Sequence, residues 1–555
     1  MDPGRDRRWH HLNGAGGRWR WAAGLGLAAT ALFFAYLRLS NTYPENSDQA
    51  NLGLQAWDML HGNLLLHGWV LSDVSFYTTE LPQYMLLELI GGLNTGTFHA
   101  AAAMTYTLVV LLAAMLAKGG GAGNQQSRAT GLRGVARALI AGGIMLAPQL
   151  GFGVFILLLT VGHIGTSVPL LVTWLALDRG RPGWPLAVAA GVLLTWGAIA
   201  DSLVLAIGAL PVALVCGLRL LRTAAGAPGG PRAQLRQMWA DRRFEAWLAG
   251  VAVASALVSQ AVVRLIHALG GYTLHAVTFR LEPSRLWPSQ AAATWRGLLV
   301  LFGASYSGLS GHSRDLALLH LAGLALAAAG LVLVSVRFFT TATLTEQVLA
   351  VAVVINLVLY VISNMSSLNP HEMAVVLPFS AALAGRMLVR PQAPAVVARD
   401  RRRTAVAAVA SVIAAVVLAG YLAGLAAEAR HPAVPAQNSR LAAWLTGHRL
   451  AYGLGGYWLS SIVTVETGGR VKVRALMQFT LQRDLWESKY AWYSSRGQYA
   501  NFVVFENRPG FYYHWEPEGL VHRYFGDPAR TYHVGPWVVL VWNRNLLPSI
   551  PGDPS

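Results

Sequence analysis

NTYPENSDQANLGLQAWDMLHGNLLLHGWVLSDVSFYTTELPQYMLLELIGGL, residues 41–93, is the stretch on which the reading of this chain turns. It holds the carboxylates Glu45, Asp48, Asp58, Asp73, Glu80 and Glu88, and neither lysine nor arginine. The whole chain of 555 residues has a formal net charge of +17, so an acid-only stretch of this length runs against the average. An apolar run from Trp19 to Leu39 precedes it, and another from Phe98 to Ala117 follows. Multi-pass membrane proteins keep their arginines and lysines on the cytoplasmic side. Residues 41–97 therefore read as an external loop between the first two membrane spans, and the chemistry is expected in that loop.

The composition agrees with a membrane protein. Hydrophobic residues make up 54% and charged residues 12%, about half the charge of a soluble domain. Arginines gather beside apolar runs, at 5–20, 128–137, 219–243 and 386–403. That is a topology signal with attraction to anionic lipid as a by-product, so the basic balance does not argue for nucleic acid. The single cysteine, Cys216, lies in an apolar run and excludes an intrachain disulfide.

Taken in order, residues 1–18 read as a basic, disordered cytoplasmic tail and 19–39 as an uncleaved first span. Ser47 is expected to cap an amphipathic helix on the outer membrane surface, with Asp48 in its first turn. A second helix is expected from Leu81-Pro82. The further spans are read at 98–117, two within 136–177, two within 184–221, then 244–267, 315–336, 345–362, one ending at 388, and 404–424. The expectation is a polytopic α-helical membrane domain over 19–424 with about eleven transmembrane helices. Eleven spans starting inside finish outside. Residues 425–555, richer in aromatics, are read as a small external α/β domain. Val463-Thr-Val, Val471-Lys-Val, Phe502-Val-Val-Phe and Trp537–Trp542 are expected as strands there. Helices are expected at 439–445 and 456–462.

The loop is similar to that of the GT-C-fold glycosyltransferases that use polyprenyl-phosphate sugars, above all the aminoarabinose transferases of lipid A and the protein O-mannosyltransferases. Those families open a surface helix after the first span with an Asp-Glu pair; Asp48-Gln49 stands there, without the Glu. Leu60-His-Gly-Asn63 fits the end of that helix. Phe76-Tyr-Thr-Thr-Glu80-Leu-Pro82-Gln stands where the families write Glu-Lys-Pro-Pro-Leu, keeping Glu80 and Pro82. His371-Glu372-Met-Ala-Val-Val-Leu-Pro378 takes the place of an Arg-Tyr pair opening a late span. The resemblance implies sugar transfer from a lipid phosphate to a cell-envelope acceptor (glycan, lipid or protein) on the external face. It implies Asp48 as general base and Glu80 as the residue orienting the acceptor.

A lipid phosphate requires cations near the outer leaflet, and Arg280, Arg285 and Arg296 in the external segment 270–314 supply them, with His371 and Glu372 as further substrate-binding candidates. Asp58 and Glu88 read as solvated helix faces, Asp73 as a turn residue, and His163 and Asp201 as structural residues at external turns. No His/Cys ligand spacing and no phosphate-binding Gly-rich loop occur, so no metal or other cofactor is expected to be required, although a divalent cation is compatible. The rival readings are a transporter or flippase of lipid-linked glycans and an inactive scaffold of the same fold.

Overall fold

The computed structural model describes residues 3–120, 128–159, 162–226, 230–275, 279–367, 370–389, 401–506 and 518–552. The elements begin with α1 (Pro3–Ser40), α2 (Ser47–Leu60), β1 (Trp69–Leu71), α3 (Glu80–Gly91), α4 (Gly96–Lys118), α5 (Arg128–Met145), α6 (Phe152–Leu157), α7 (Ser167–Arg179) and α8 (Trp184–Ala200). They continue with α9 (Leu210–Ala225), α10 (Pro231–Ala268), β2 (Thr273–Leu274), α11 (Trp287–Leu301), α12 (Gly311–Val336), α13 (Leu344–Ile362), α14 (Val376–Leu388) and α15 (Arg401–Glu428). After these come α16 (Ser439–Gly447), β3 (Tyr452–Gly456), α17 (Tyr457–Glu466), β4 (Lys472–Leu476), β5 (Ser488–Lys489), β6 (Phe502–Glu506), α18 (Glu518–Phe525), β7 (Arg530–Val534) and β8 (Trp537–Val541).

Helices occupy the expected places, and some of them are short. Among the described residues, six are long and apolar enough to cross a membrane: Ala22–Ser40, Gly96–Lys118, Leu205–Ala225, Arg236–Ala268, Gly311–Val336 and Leu344–Ile362. This is a multi-pass membrane protein built partly from short helices. α7 and α14 have 13 residues each, about 20 Å of helix against roughly 30 Å of hydrocarbon. From Val376 to Met387 every residue of α14 is buried. A helix apolar all round belongs in the middle of a bundle, and α14 packs among α4, α5, α12 and α13. Its far end is fixed by Arg386, which pairs with Asp178 at 2.7 Å and Glu346 at 3.1 Å. The helices that stop short, α7, α8 and α14, leave their ends to the segments 162–166, 201–204 and 370–375.

Two further expectations are corrected. The basic tail is helical, because α1 runs back to Pro3. α2 is not a surface helix with one wet face. Ten of its residues are buried, because α3 and α4 cover one side and α17 another.

The C-terminal region is an α/β unit with a five-stranded sheet in the order β4-β3-β6-β8-β7. β3 pairs in parallel with β4 and β6, while β8 runs antiparallel to β6 and β7. The Gly-rich run Tyr452–Gly456 is the inner strand between β4 and β6. The ring of Phe502 lies where a Cβ at Gly453 would stand, so the glycine makes room for an aromatic from the neighbouring strand. Val463-Thr-Val is helical, not a strand, since α17 continues through it. Its valines face inward from a helix wedged between β4 and α2, where burial outweighs β propensity. A small second sheet, β2-β1-β5, joins the loop after α2, the segment after α10 and the C-terminal region.

Candidate active site

The loop 41–97 divides its carboxylates between two places. The first is the face of α2 toward the C-terminal region. Asn46, not Ser47, is the N-cap. Its side chain accepts from the Gln49 N–H at 3.2 Å, and Gln49 Oε1 accepts from the Asn46 N–H at 3.2 Å, a capping box. Gln49 Nε2 donates to the Leu159 carbonyl at 2.9 Å. The residue standing where the resembling families have Glu is thus occupied with capping and anchoring.

Asp48 Oδ1 accepts from the Tyr457 hydroxyl at 2.6 Å, and that hydroxyl lies 2.9 Å from Glu487 Oε2. Asn51 Nδ2 donates to Glu487 Oε2 at 3.0 Å. Burial pushes Asp48 up to about 6, opposed by the Tyr457 hydrogen bond. Burial and the nearby Asp48 charge push Glu487 up to about 8. Both carboxylates are thus raised above the usual range, and the pair as a whole disfavours carrying two negative charges.

Asp58 belongs to the same side. It pairs with Lys489 at 2.7 Å and accepts from Trp69 Nε1 at 2.9 Å and Asn63 Nδ2 at 2.5 Å. It is a cross-domain anchor, which corrects its reading as a solvated face. Glu88 is corrected further. It is 1% exposed, neither carboxyl oxygen has a hydrogen-bond partner, and burial raises it to about 9. Gly53 leaves it room: a Cβ there would stand 3.2 Å from Glu88 Oε1. Glu45, just ahead of the cap, is buried 3.3 Å from His99 Nε2. Burial raises it, but the His99 hydrogen bond and charge outweigh that and leave Glu45 below the usual carboxylate range.

The second place lies at the ends of the short helices. Glu80 opens α3, is 2% exposed, and accepts from the Thr79 hydroxyl. Its carboxylate fills the space where Gly165 would carry a Cβ, which sets it on the loop before α7. In that loop His163 Nδ1 donates to Asp201 Oδ2 at 2.6 Å, and Thr166 donates to the same oxygen. Asp201, at the end of α8, also accepts from the Leu203 N–H at 2.9 Å. The His371 ring stacks on His163 with centroids 5.8 Å apart. Glu372 follows, 7% exposed, its backbone carbonyl held by Asn356 Nδ2 at 3.1 Å. His163, His371 and Glu372 bring donor atoms within 4.8 Å of one another, a grouping able to hold a metal ion.

Electrostatics bind these groups together. Burial raises Glu80 to about 7, with the Asp201 charge adding and Thr79 and His163 opposing. Burial raises Glu372 to about 7, against the pull of His163. Burial disfavours a charged His163, but Asp201 overrides it and lifts the imidazole to about 9. Burial and the His163 charge push His371 down to about 3. Asp73 is raised by burial and responds to both His163 and Asp201.

Of the predicted site residues, Glu80, His371 and Glu372 converge here. Neither Asp48 nor Glu80 is among the charges that shift the other. Arg280, Arg285 and Arg296 are exposed. The Arg280 backbone is tied to Asn364 by hydrogen bonds of 3.0 Å in both directions, which brings its segment beside the loop that carries His371. On the sequence, His163 and Asp201 lie at turns expected on the same side of the membrane as the loop, and that shared side is the available signal for their joining Glu80.

No family model matches this sequence, and no curated protein matches it. Solved structures do match. ArnT from Cupriavidus metallidurans, in the apo state, aligns over 94% of this chain and 98% of its own, with TM-score 0.56 and 15% identity. The same protein bound to undecaprenyl phosphate aligns over 94% of this chain and 97% of its own, with TM-score 0.54 and 15% identity. The chain has the GT-C fold. An Archaeoglobus fulgidus oligosaccharyltransferase tethered to an acceptor peptide aligns over 87% of this chain and 69% of its own, with 14% identity; at TM-score 0.46 it adds nothing to the fold assignment.

Proposed function

We propose that this GT-C chain is a glycosyltransferase of the bacterial cell membrane that moves a sugar from a polyprenyl-phosphate donor to an acceptor on the external face. The observation that carries the reading is the meeting of Glu80, Asp201, His163, His371 and Glu372 where α7, α8 and α14 stop short, in a fold shared with a protein that binds undecaprenyl phosphate. The Arg pattern of the sequence puts the N-terminus inside and the C-terminal α/β region outside.

An acceptor hydroxyl or amine attacks the anomeric carbon, the bond from that carbon to the phosphate oxygen breaks, and polyprenyl phosphate leaves with the electron pair. The acceptor's proton goes to Glu80. A carboxylate titrating near 7 accepts it better at neutral pH than one in the ordinary range. Arg280 and Arg285 receive the donor phosphate. This assigns the base to Glu80 instead of Asp48, since Asp48 is taken up by the Tyr457 hydroxyl, which also faces Glu487.

The test is transfer by the purified chain in proteoliposomes loaded with polyprenyl-phosphate sugars. Product formation on the external side upholds the reading. No product with any acceptor class hands it to the scaffold or flippase alternatives, and glycolipid flipping in the same vesicles separates those two.

A further inference from the structure

We propose that His163, His371 and Glu372 form a site for one divalent transition-metal ion of the zinc, manganese or iron kind. The site goes beyond the transferase reading and does not depend on it. The donor atoms already lie within 4.8 Å of one another. Around a zinc ion neighbouring ligand atoms sit about 3.3 Å apart, so small side-chain rotations close the set.

Each ligand is prepared for this role. His163 Nδ1 is committed to Asp201 at 2.6 Å, so a metal would take the place of the proton on Nε2. An imidazole held by a carboxylate at its other nitrogen is the usual support behind a metal-bound histidine. Asp201 is itself held by Thr166 and by the Leu203 N–H at 2.9 Å. Gly162 lets the His371 loop come close, since a Cβ there would stand 3.0 Å from His371 Cβ.

Glu372 provides the independent observation. It is 7% exposed, and its Oε2 is buried without a hydrogen-bond partner. Buried carboxylate oxygens seldom stay unsatisfied in native proteins, and a cation between Glu372 and the two imidazoles satisfies this one. The donor set selects the ion. Two imidazole nitrogens and one carboxylate suit zinc, manganese, iron or cobalt, whereas magnesium and calcium favour all-oxygen sites. Three protein ligands leave a position open to water or a bound ligand.

The experiment uses the full chain in nanodiscs, stripped with chelator and titrated with Co²⁺. Metal content is measured by mass spectrometry and coordination by visible absorption. One ion per chain is expected, with the absorption bands of nitrogen-ligated cobalt. Glu372→Gln, which keeps the side chain's shape, and His371→Asn are each expected to weaken binding by at least roughly 10-fold, and Asp201→Asn by about 10- to 100-fold. All variants are compared as monodisperse samples. Cobalt bound equally by wild type and Glu372→Gln, or no bands at saturating Co²⁺, overturns the site. A chain that binds cobalt yet transfers no sugar keeps the metal site and removes the transferase reading; transfer by a chain that takes up no metal does the reverse.

Discussion

Asp48 and Glu80 lie in one loop, are both held by burial above the usual carboxylate range, and do different work. Asp48 meets Tyr457 and Glu487 across the seam between α2 and the C-terminal region. Glu80 meets Gly165 and Thr79 among the ends of broken helices. Its neighbours His371 and Glu372 offer donor atoms to one point. In the seam Asp48 and Glu487 have hydrogen-bond partners drawn from the seam itself, while in the second place Glu372 Oε2 has none. A raised pKa alone does not separate a docking carboxylate from a reacting one; the partners do.

The largest effect expected from this contrast is on the seam's response to pH. Glu487 is pushed up to about 8 when docked, against about 4.3 when free in water. Its neutral form therefore favours docking. That contribution is complete below the free value and disappears as pH rises through about 8, at no more than roughly 1.4 kcal/mol per pH unit. Asp48, raised to about 6, acts with the same sign. Tryptic cleavage at Arg430, in the connection before α16, is expected to quicken between about pH 5 and 8. A rate independent of docking pH, after correction for trypsin's own profile, would remove the seam's proton from the account.

Next in size is Tyr457→Phe, which deletes the donor to Asp48. Leaving a buried carboxylate short of a partner costs about 1–3 kcal/mol. The same cleavage is expected to accelerate by roughly 5- to 150-fold at pH 7, with the thermal midpoint of the membrane helices unchanged. Glu88→Leu sharpens the contrast from the other side, because Glu88 is buried with no partner on either oxygen. Replacing it with an apolar side chain is expected to stabilise by about 1 kcal/mol, read as a higher unfolding midpoint. A lower midpoint would mean Glu88 holds something the side chains alone do not show. The smallest effect is expected from Arg280 and Arg285. Their joint change to Gln is expected to raise the donor KM a few-fold, roughly 1 kcal/mol or less, with kcat unchanged. An unchanged KM leaves them as headgroup anchors.

The membrane architecture was legible where the signal was linear in sequence. The acid-only run 41–93 and the arginine clusters placed the loop between α1 and α4, and the apolar runs found the helices in order. Helix length was less legible. α14 reads as apolar as a span, and only its packing against α4, α5, α12 and α13 reveals a short buried helix. Val463-Thr-Val carries strand-like side chains, and α17 overrides them because that face is buried against β4 and α2. Glu80, His371 and Glu372 were visible as polar residues at loop positions. Their meeting with His163 and Asp201 was not, since those come from the loop before α7 and the end of α8. Glu88 looked wet by helical phase, but Gly53 and the crossing of α2 cover it. The Asp48–Tyr457–Glu487 contact joins residues so far apart in the chain that no local pattern marks it.

The division of labour between the two carboxylates is tested most directly by single-turnover transfer with purified protein, saturating polyprenyl-phosphate sugar and a fixed acceptor. Glu80→Gln and Asp48→Asn are measured side by side, each with donor binding checked separately. Removing a general base costs about 10²–10⁴ in rate. Glu80→Gln is expected to lose about 10² or more with donor binding intact, and Asp48→Asn to stay within roughly 10-fold of wild type. The reverse result, near-normal turnover by Glu80→Gln and a collapse in Asp48→Asn, would place the chemistry on the α2 seam and contradict the account.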